Sequence, residues 1–431
     1  MIVSPRAGIA SRNGLARSGQ TACRALALAA AALLSLADCR GDDWPQWRGP
    51  RRDDVSRETG LLDKWPAEGP AQLWVNPNCG VGYSGPAVVA GRLYLMGARD
   101  NAELLLCLDA ATGAEQWACE VGPQFENGWG DGPRGTPAVD GGKVYALGAQ
   151  GNLACVDAAT GAVVWRRTMQ ELGGSVPNWG YTESPLVDGK LVCCTPGGKQ
   201  GSIVALDKLT GETVWQAAEL TSDAHYASIV PAVLHGKPQL VQLLPDQLVG
   251  VDPADGKLLW SAPWPGQTAV IPTPIVRGNE VYVTSGYGVG CMLVRIGPNG
   301  EAEKIYDNKE MKNHHGGVVL VGDHLYGHSD PNGWICQDFA TGESVWRERS
   351  ALGKGAVAYA EGRLYCLSED EGQVALVEAS PDGWKEISRF QLSPQTELER
   401  KRGKIWTHPV ISNGRLYLRD QDKLVSYKIS G

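Results

Sequence analysis

The side chains best suited to chemistry in this 431-residue chain sit in short loops that recur along it. In order they are Tyr83, Arg134, the cluster Asn178, Trp179, Tyr181 and Glu183, the pair His225 and Tyr226, the pair His314 and His315, Lys354, and Trp406 with His408. Four of the seven His fall among them. His and Glu titrate, and both bind metals. Trp and Tyr offer ring faces to a planar or sugar-like ligand, while Arg134 and Lys354 suit a carboxylate. His225, Glu183, His408 and one of His314/His315 have metal-ligand character. Adjacent residues of an extended segment point apart, however, so the pair cannot serve one ion together and no metal set is assigned.

These loops share a slot in a repeat. The phrase Cys155-Val-Asp-Ala-Ala-Thr-Gly-Ala-Val-Val-Trp165 holds an apolar strand, a Thr-Gly turn, and a Trp four residues after the turn Gly. It returns around Thr112-Gly113…Trp117, Thr210-Gly211…Trp215, Asp255-Gly256…Trp260 and Thr341-Gly342…Trp346. Before each phrase stand two more short strands joined by a two-residue turn such as Asp188-Gly189 or Asn413-Gly414, a hairpin signal. Four strands per unit of roughly 40–50 residues read as a propeller blade. Eight units are expected. The eighth stops after its third strand, Leu424–Ile429, and a lone strand at Gln72–Val75 would complete it and close the ring. Residues 70–431 are therefore one all-β, eight-bladed propeller of four-stranded antiparallel blades. Lys304 and Ile387 stand where the fifth and seventh units should carry Trp, so those blades must dock differently.

In such a ring, the loop from the fourth strand of one blade to the first of the next opens at one mouth of the central channel. The candidate residues occupy that loop. Convergent polar and aromatic groups there either hold a small molecule or cap the channel by bonding one another's backbone. Tyr287, His328 and Asp420 follow second strands, on the same side of the blade as the candidate loops, where they either ring the site or, on the simpler reading, serve as turn residues.

Residues 38–69, with Trp44-Pro-Gln-Trp-Arg-Gly-Pro50, have no strand or helix period and read as an ordered strap lying on the domain. Residues 1–37 read as an export signal. A basic segment ends at Arg24, and the apolar run Ala25–Leu36 is too short to span a bilayer. Export to the periplasm or cell envelope is expected, with membrane anchoring only if Cys39 is lipidated. Net charge is −8, and residues 1–37 contribute +4, leaving the remainder at −12. That balance excludes a nucleic-acid partner. A small-molecule ligand and a monomeric state are expected. Most of the eleven Cys alternate with apolar residues in strands, as buried free thiols do.

The turn–Trp phrase resembles the tryptophan-docking motif of the quinoprotein (PQQ-repeat) propellers, in which the Trp packs between blades. The resemblance covers almost the whole chain after residue 38. It implies a structural role for Trp74, Trp117, Trp165, Trp215, Trp260 and Trp346. It leaves activity open, because the family holds calcium- and PQQ-dependent alcohol and sugar dehydrogenases, a scaffolding outer-membrane assembly lipoprotein, and exported propellers of unassigned function. PQQ with calcium is thus one cofactor the resemblance suggests. Cys193-Cys194 resembles the vicinal disulfide over PQQ in some dehydrogenases, although it falls inside a strand where two core Cys are the simpler reading. The dehydrogenases' calcium ligands and catalytic Asp have no matching motif here.

Overall fold

The fold is built from one local device. Asp109 Oδ1 accepts hydrogen bonds from Ala111 N, Thr112 N and Thr112 Oγ1 at 2.8–2.9 Å, which closes the turn and sets Gly113 at φ +74°. The Trp74 ring lies so close over Gly113 that a Cβ there would meet it at 2.5 Å, so only Gly fits. Trp117 covers Gly161, Trp165 covers Gly211 and Trp215 covers Gly256 in the same way. Each Trp thus rests on the turn of the following blade. Trp74, Trp165 and Trp215 also donate through Nε1 to a carbonyl of that turn.

The computed structural model describes residues 42–431. The proposed export signal and Cys39 lie outside these residues. The described chain is all-β and forms eight four-stranded antiparallel sheets, seven from consecutive strands and one of these extended by a fifth, parallel strand. The inner strands of blades 1 to 8 are Ala87–Val89, Ala138–Asp140, Leu186–Asp188, Val230–Leu234, Ile275–Arg277, Val318–Val321, Gly355–Ala360 and Val410–Ser412. Gln72–Asn76 pairs antiparallel with Lys423–Lys428 and supplies the missing outer strand of blade 8. Ring closure by the two chain ends is therefore observed as expected. The nine Cys of the described residues are all buried and free.

The two irregular blades are repaired differently. In blade 5, Tyr306 stands in for Trp. It lies over Gly342 of the next turn and donates to Phe339 O at 2.9 Å. In blade 7, the strap supplies the ring. Trp65, 2% exposed, packs on Phe390 at 5.0 Å and Tyr365 at 5.7 Å within the core shared with blade 8. Trp260 departs from the pattern too, its Nε1 donating to Gln239 Oε1 of its own blade at 2.6 Å.

Residues 44–56 of the strap do not lie on the outside of the domain but are inserted into the channel, whereas Leu61 and Trp65 pack on blades 7 and 8. The strap enters beside the turns between first and second strands, where Ala90 N donates to Asp43 and Ser412 Oγ to Asp42 O. It leaves on the same side, where Glu58 accepts from Asn413 N and Gly414 N. Between these points it bonds the inner strand of each blade or the residues leading into it. Trp44 pairs with Val88, and Val139 N donates to Pro45 O. Arg52 donates to Ser184 O, Pro185 O and Ile229 O. Trp47 reaches Thr273 and Arg48 reaches Val318 O. Val55–Ser56 runs parallel to Tyr359–Ala360, and Asp54 meets His408. A first strand at the channel has an unpaired inner edge, and the strap satisfies part of that edge all the way round.

Candidate functional site

Above the strap lies a cavity of about 450 Å³, within the ~300–1,000 Å³ range of small-molecule sites. Trp47 and Arg48 form its floor. Trp47 Nε1 donates to Thr273 Oγ1 at 3.0 Å, and its ring centroid lies 4.5 Å from that of His408. Six further aromatic residues line the wall: Tyr83, Trp129, Trp179, Tyr226, Tyr287 and Trp406. Tyr83 packs on Trp406 at 5.1 Å, and Trp179 on Tyr226 at 5.7 Å. Arg134, His314, His315 and His408 supply the nitrogen donors. Among the described residues no Asp or Glu reaches the cavity surface. At the rim, the loop before blade 8 crosses to blade 1, where Lys401 pairs with Asp131 at 2.7 Å and Arg402 lies over the Trp129 ring.

Eight of the thirteen sequence candidates meet at this cavity: Tyr83, Arg134, Trp179, Tyr226, His314, His315, Trp406 and His408. Five do not line it. Asn178 is exposed and uses its backbone O to accept from Asn127. Tyr181 is fully buried in the core between blades 2 and 3, its hydroxyl donating to Pro196 O at 2.9 Å. Glu183 turns back into its own blade to accept from Thr195 N at 2.6 Å and Thr195 Oγ1 at 3.1 Å. His225 accepts from Val270 N through Nδ1. Lys354 stands one residue behind the wall, against His314.

For Tyr181, Glu183 and His225 the reason is parity: where a loop is extended, successive side chains alternate between channel and blade. The loop of His314 and His315 bends instead, so, against expectation, both rings line the cavity with centroids 4.6 Å apart. Thr182 and Ser184 line the cavity where Tyr181 and Glu183 face back. Tyr226 and Ser228 line it where His225 faces back. The inward hydroxyls link neighbouring blades. Thr136 N donates to Ser184 Oγ, Ser184 N to Ser228 Oγ, and Thr182 Oγ1 to Tyr226 O.

Electrostatics separate the His residues. His408 faces Asp54 Oδ2 through Nδ1 at 3.1 Å and His315 O through Nε2 at 2.8 Å. Asp54 is shared with Arg48 Nε at 2.8 Å. His315 Nε2 lies 2.5 Å from Glu369 Oε2. Burial lowers the His315 pKa against the pull of Glu369. His314 is pushed down to about 3 by burial, by His315 and by the Lys354 ammonium. It is therefore neutral at any physiological pH. Burial also lowers the pKa of Arg134, which donates to Gly130 O and Gly132 O. Burial pushes Tyr226 up to about 12, so its phenol stays protonated.

Sequence reasoning missed Trp47, Arg48, Trp129 and Tyr287. The first two belong to the strap, which carries no periodicity to orient it. Trp129 lies in a candidate loop, and its aromatic type was the available signal. On the simpler sequence reading Tyr287 is a turn residue. It does sit at a turn, with φ +56°, but its ring leans over the mouth and meets His314 edge-on at 4.7 Å.

Residues 100–348, more than half of the chain, match the PQQ-repeat family model described as outer membrane protein assembly factor BamB. The chain belongs to this PQQ-repeat propeller family. No curated protein matches it significantly. Among solved structures, BamB from Moraxella catarrhalis aligns with a TM-score of 0.59 at 18% identity, over 83% of this chain and 99% of that one. Quinohemoprotein alcohol dehydrogenase ADHIIG from Pseudomonas putida HK5 gives 0.52 at 14% identity, over 90% and 80%. A europium-containing methanol dehydrogenase gives 0.51 at 14%, over 91% and 92%. At these identities the PQQ-repeat propellers share a fold with this chain, and fold alone does not carry activity.

The residues present do not fit a calcium-bound quinone. A hard cation such as Ca²⁺ takes carboxylate and carbonyl oxygens, and among the described residues no carboxylate lines the cavity. Among the described residues no three His, Cys, Asp or Glu are grouped to hold a metal ion. Cys193 and Cys194 sit on opposite faces of a blade 3 strand, one in the core toward blade 4 and the other in the core toward blade 2. Neither touches the cavity.

Proposed function

We propose that this PQQ-repeat propeller is an exported envelope protein that binds a small polar or carbohydrate-like ligand in the channel-mouth cavity. The observation that carries this reading is the lining itself, with seven aromatic residues and nitrogen donors around about 450 Å³ and no acid among them. Ring faces stack on planar or pyranose-like surfaces, and nitrogen donors orient polar substituents. The alternative role of these loops, capping the channel, is supported by the Ser184 and Ser228 links. Those links engage backbone and hydroxyl groups and leave the Trp and Tyr faces free. Export is supported by the basic and apolar pattern of residues 1–37 and by the outer-membrane description of the family.

Thermal unfolding measured across a panel of sugars and small cyclic acids tests the reading. A ligand that raises the Tm of the wild type and not of Trp179→Ala supports it. A panel with no effect on the wild type overturns it.

One observation favours a second reading, a scaffold for another envelope protein. Val163 and Val164 of blade 2 and Leu209 and Val214 of blade 3 expose apolar side chains on neighbouring outer faces. Asp or Lys at Val164 and Val214 would abolish such docking and leave ligand-induced stabilisation intact. The dehydrogenase reading lacks comparable support, given the donor set described above.

A further inference from the structure

This inference deepens the ligand-site reading and rests on it. It begins with a chain of four side chains behind the rim. Lys354 Nζ donates to Asp330 Oδ2 at 2.6 Å and to His314 Nδ1 at 2.8 Å. An ammonium has no lone pair, so His314 Nδ1 must accept. The neutral imidazole then carries its single proton on Nε2. That nitrogen lies 2.7 Å from Tyr287 Oη and donates to it. The phenol oxygen receives this hydrogen bond, and its own proton is left to point elsewhere. Among the described residues, Tyr287 Oη donates to no protein group, although the residue lines the cavity and is 44% exposed.

The chain thus makes Tyr287 an obligate donor toward the cavity, polarised by a lysine cation two residues away in the hydrogen-bond sequence. Donors of this kind strengthen when the acceptor is an anion. The rest of the lining agrees. Arg134 reaches the cavity with no carboxylate in ion-pair contact among the described residues; its hydrogen bonds go to backbone carbonyls. No acid lines the cavity to repel a negative charge. Around these donors stand the faces of Trp179, Trp406 and Trp47.

The geometry points to a ligand that carries a carboxylate on a compact ring, its oxygen accepting the Tyr287 hydroxyl proton and its ring stacked among the tryptophans. Tyr287 is the binding residue, and His314 and Lys354 are positioning residues that fix its donor direction. The shared chemistry is the ring-borne carboxylate. It would come from a sugar acid or from an aryl acid, and the test separates the two.

Titration calorimetry on the full chain would compare glucuronate with glucose and benzoate with benzyl alcohol at matched ionic strength. The acid of one pair should bind at least about tenfold more tightly than its neutral partner, the scale of a hydrogen bond to a charged group. The pair that shows this difference names the source. Tyr287→Phe, which removes one oxygen from a half-exposed side chain, should erase that preference by bringing the acid's affinity down to that of its neutral partner. Lys354→Met should do the same by releasing His314. Equal binding of acid and neutral compounds would overturn the inference while leaving the ligand-site reading in place. Loss of preference in Tyr287→Phe but not in Lys354→Met would overturn the positioning chain. Absence of binding by all four compounds would overturn the ligand class, and the broader Tm panel with Trp179→Ala would then decide the ligand site separately.

Discussion

Asp54 of the strap and His408 of the loop into blade 8 face each other at 3.1 Å, Oδ2 to Nδ1, beneath the cavity. Both are almost fully buried, and Asp54 also holds Arg48 at 2.8 Å. One carboxylate therefore offsets the Arg48 charge and anchors the His408 ring at the nearly buried floor of the cavity. Asp54→Asn would leave a buried cation without its counter-charge. Breaking a buried pair in this way costs about 3–5 kcal/mol, and urea unfolding of the variant should show a loss of that order.

The substitution of Tyr306 for the expected Trp predicts an asymmetry within blade 5. Tyr306→Phe removes the bond to Phe339 O and should destabilise by about 1 kcal/mol. Lys304 is exposed, and its side chain pairs only with Asp307. Lys304→Ala should change stability by less than about 0.5 kcal/mol. Denaturation midpoints of the two variants distinguish docking by Tyr306 from docking by the residue at the usual position.

Trp65 reaches the seam between blades 7 and 8 from outside the repeats. Trp65→Ala should cost about 3–5 kcal/mol, the range for emptying a buried Trp site. Because the seam joins the first-formed and last-formed parts of the chain, limited proteolysis of the variant should cut first near residues 60–78. Equal protection of the variant and the wild type would contradict this role.

Glu183 predicts a pH dependence whose sign is opposite to that of His314. Burial raises Glu183 to about 7, outweighing its bonds from Thr195. Its protonated form is favoured on folding, so its contribution is present below about 4.5 and is lost as pH rises to about 7. His314, lowered to about 3, contributes nothing to this slope above about 6.5 and costs stability as pH falls below it. Glu183→Gln should therefore gain Tm relative to the wild type on going from pH 4.5 to 7. A Tm difference between the two proteins that does not change with pH would contradict the assignment.

The ring was legible because its parts are redundant. Gln72–Val75 was a strand without a blade, and Leu424–Ile429 ended a blade without its outer strand. The count alone required them to meet, and the observed pairing of Trp74 with Ser426 satisfies it. The site was legible only to the level of the loop. Trp179 and His408 were recognisable by type, but Tyr181 and Glu183 differ from their inward neighbours Thr182 and Ser184 only in parity. The phase of that alternation is set where each loop joins its first strand. Trp47 and Arg48 were hidden for another reason. A segment shaped by the channel it fills follows the neighbours' carbonyls, as Arg52 does with Ser184, Pro185 and Ile229, and leaves no period of its own.

The insertion of Trp44, Arg48 and Arg52 into one end of the ring has a consequence for traffic. A propeller channel open at both ends would let a solute pass through. Here one end is stoppered by side chains no more than 2% exposed, so the mouth is both entrance and exit. Residence time is then governed by a single doorway, whose frame is the Trp129–Arg402 and Asp131–Lys401 contacts at the rim.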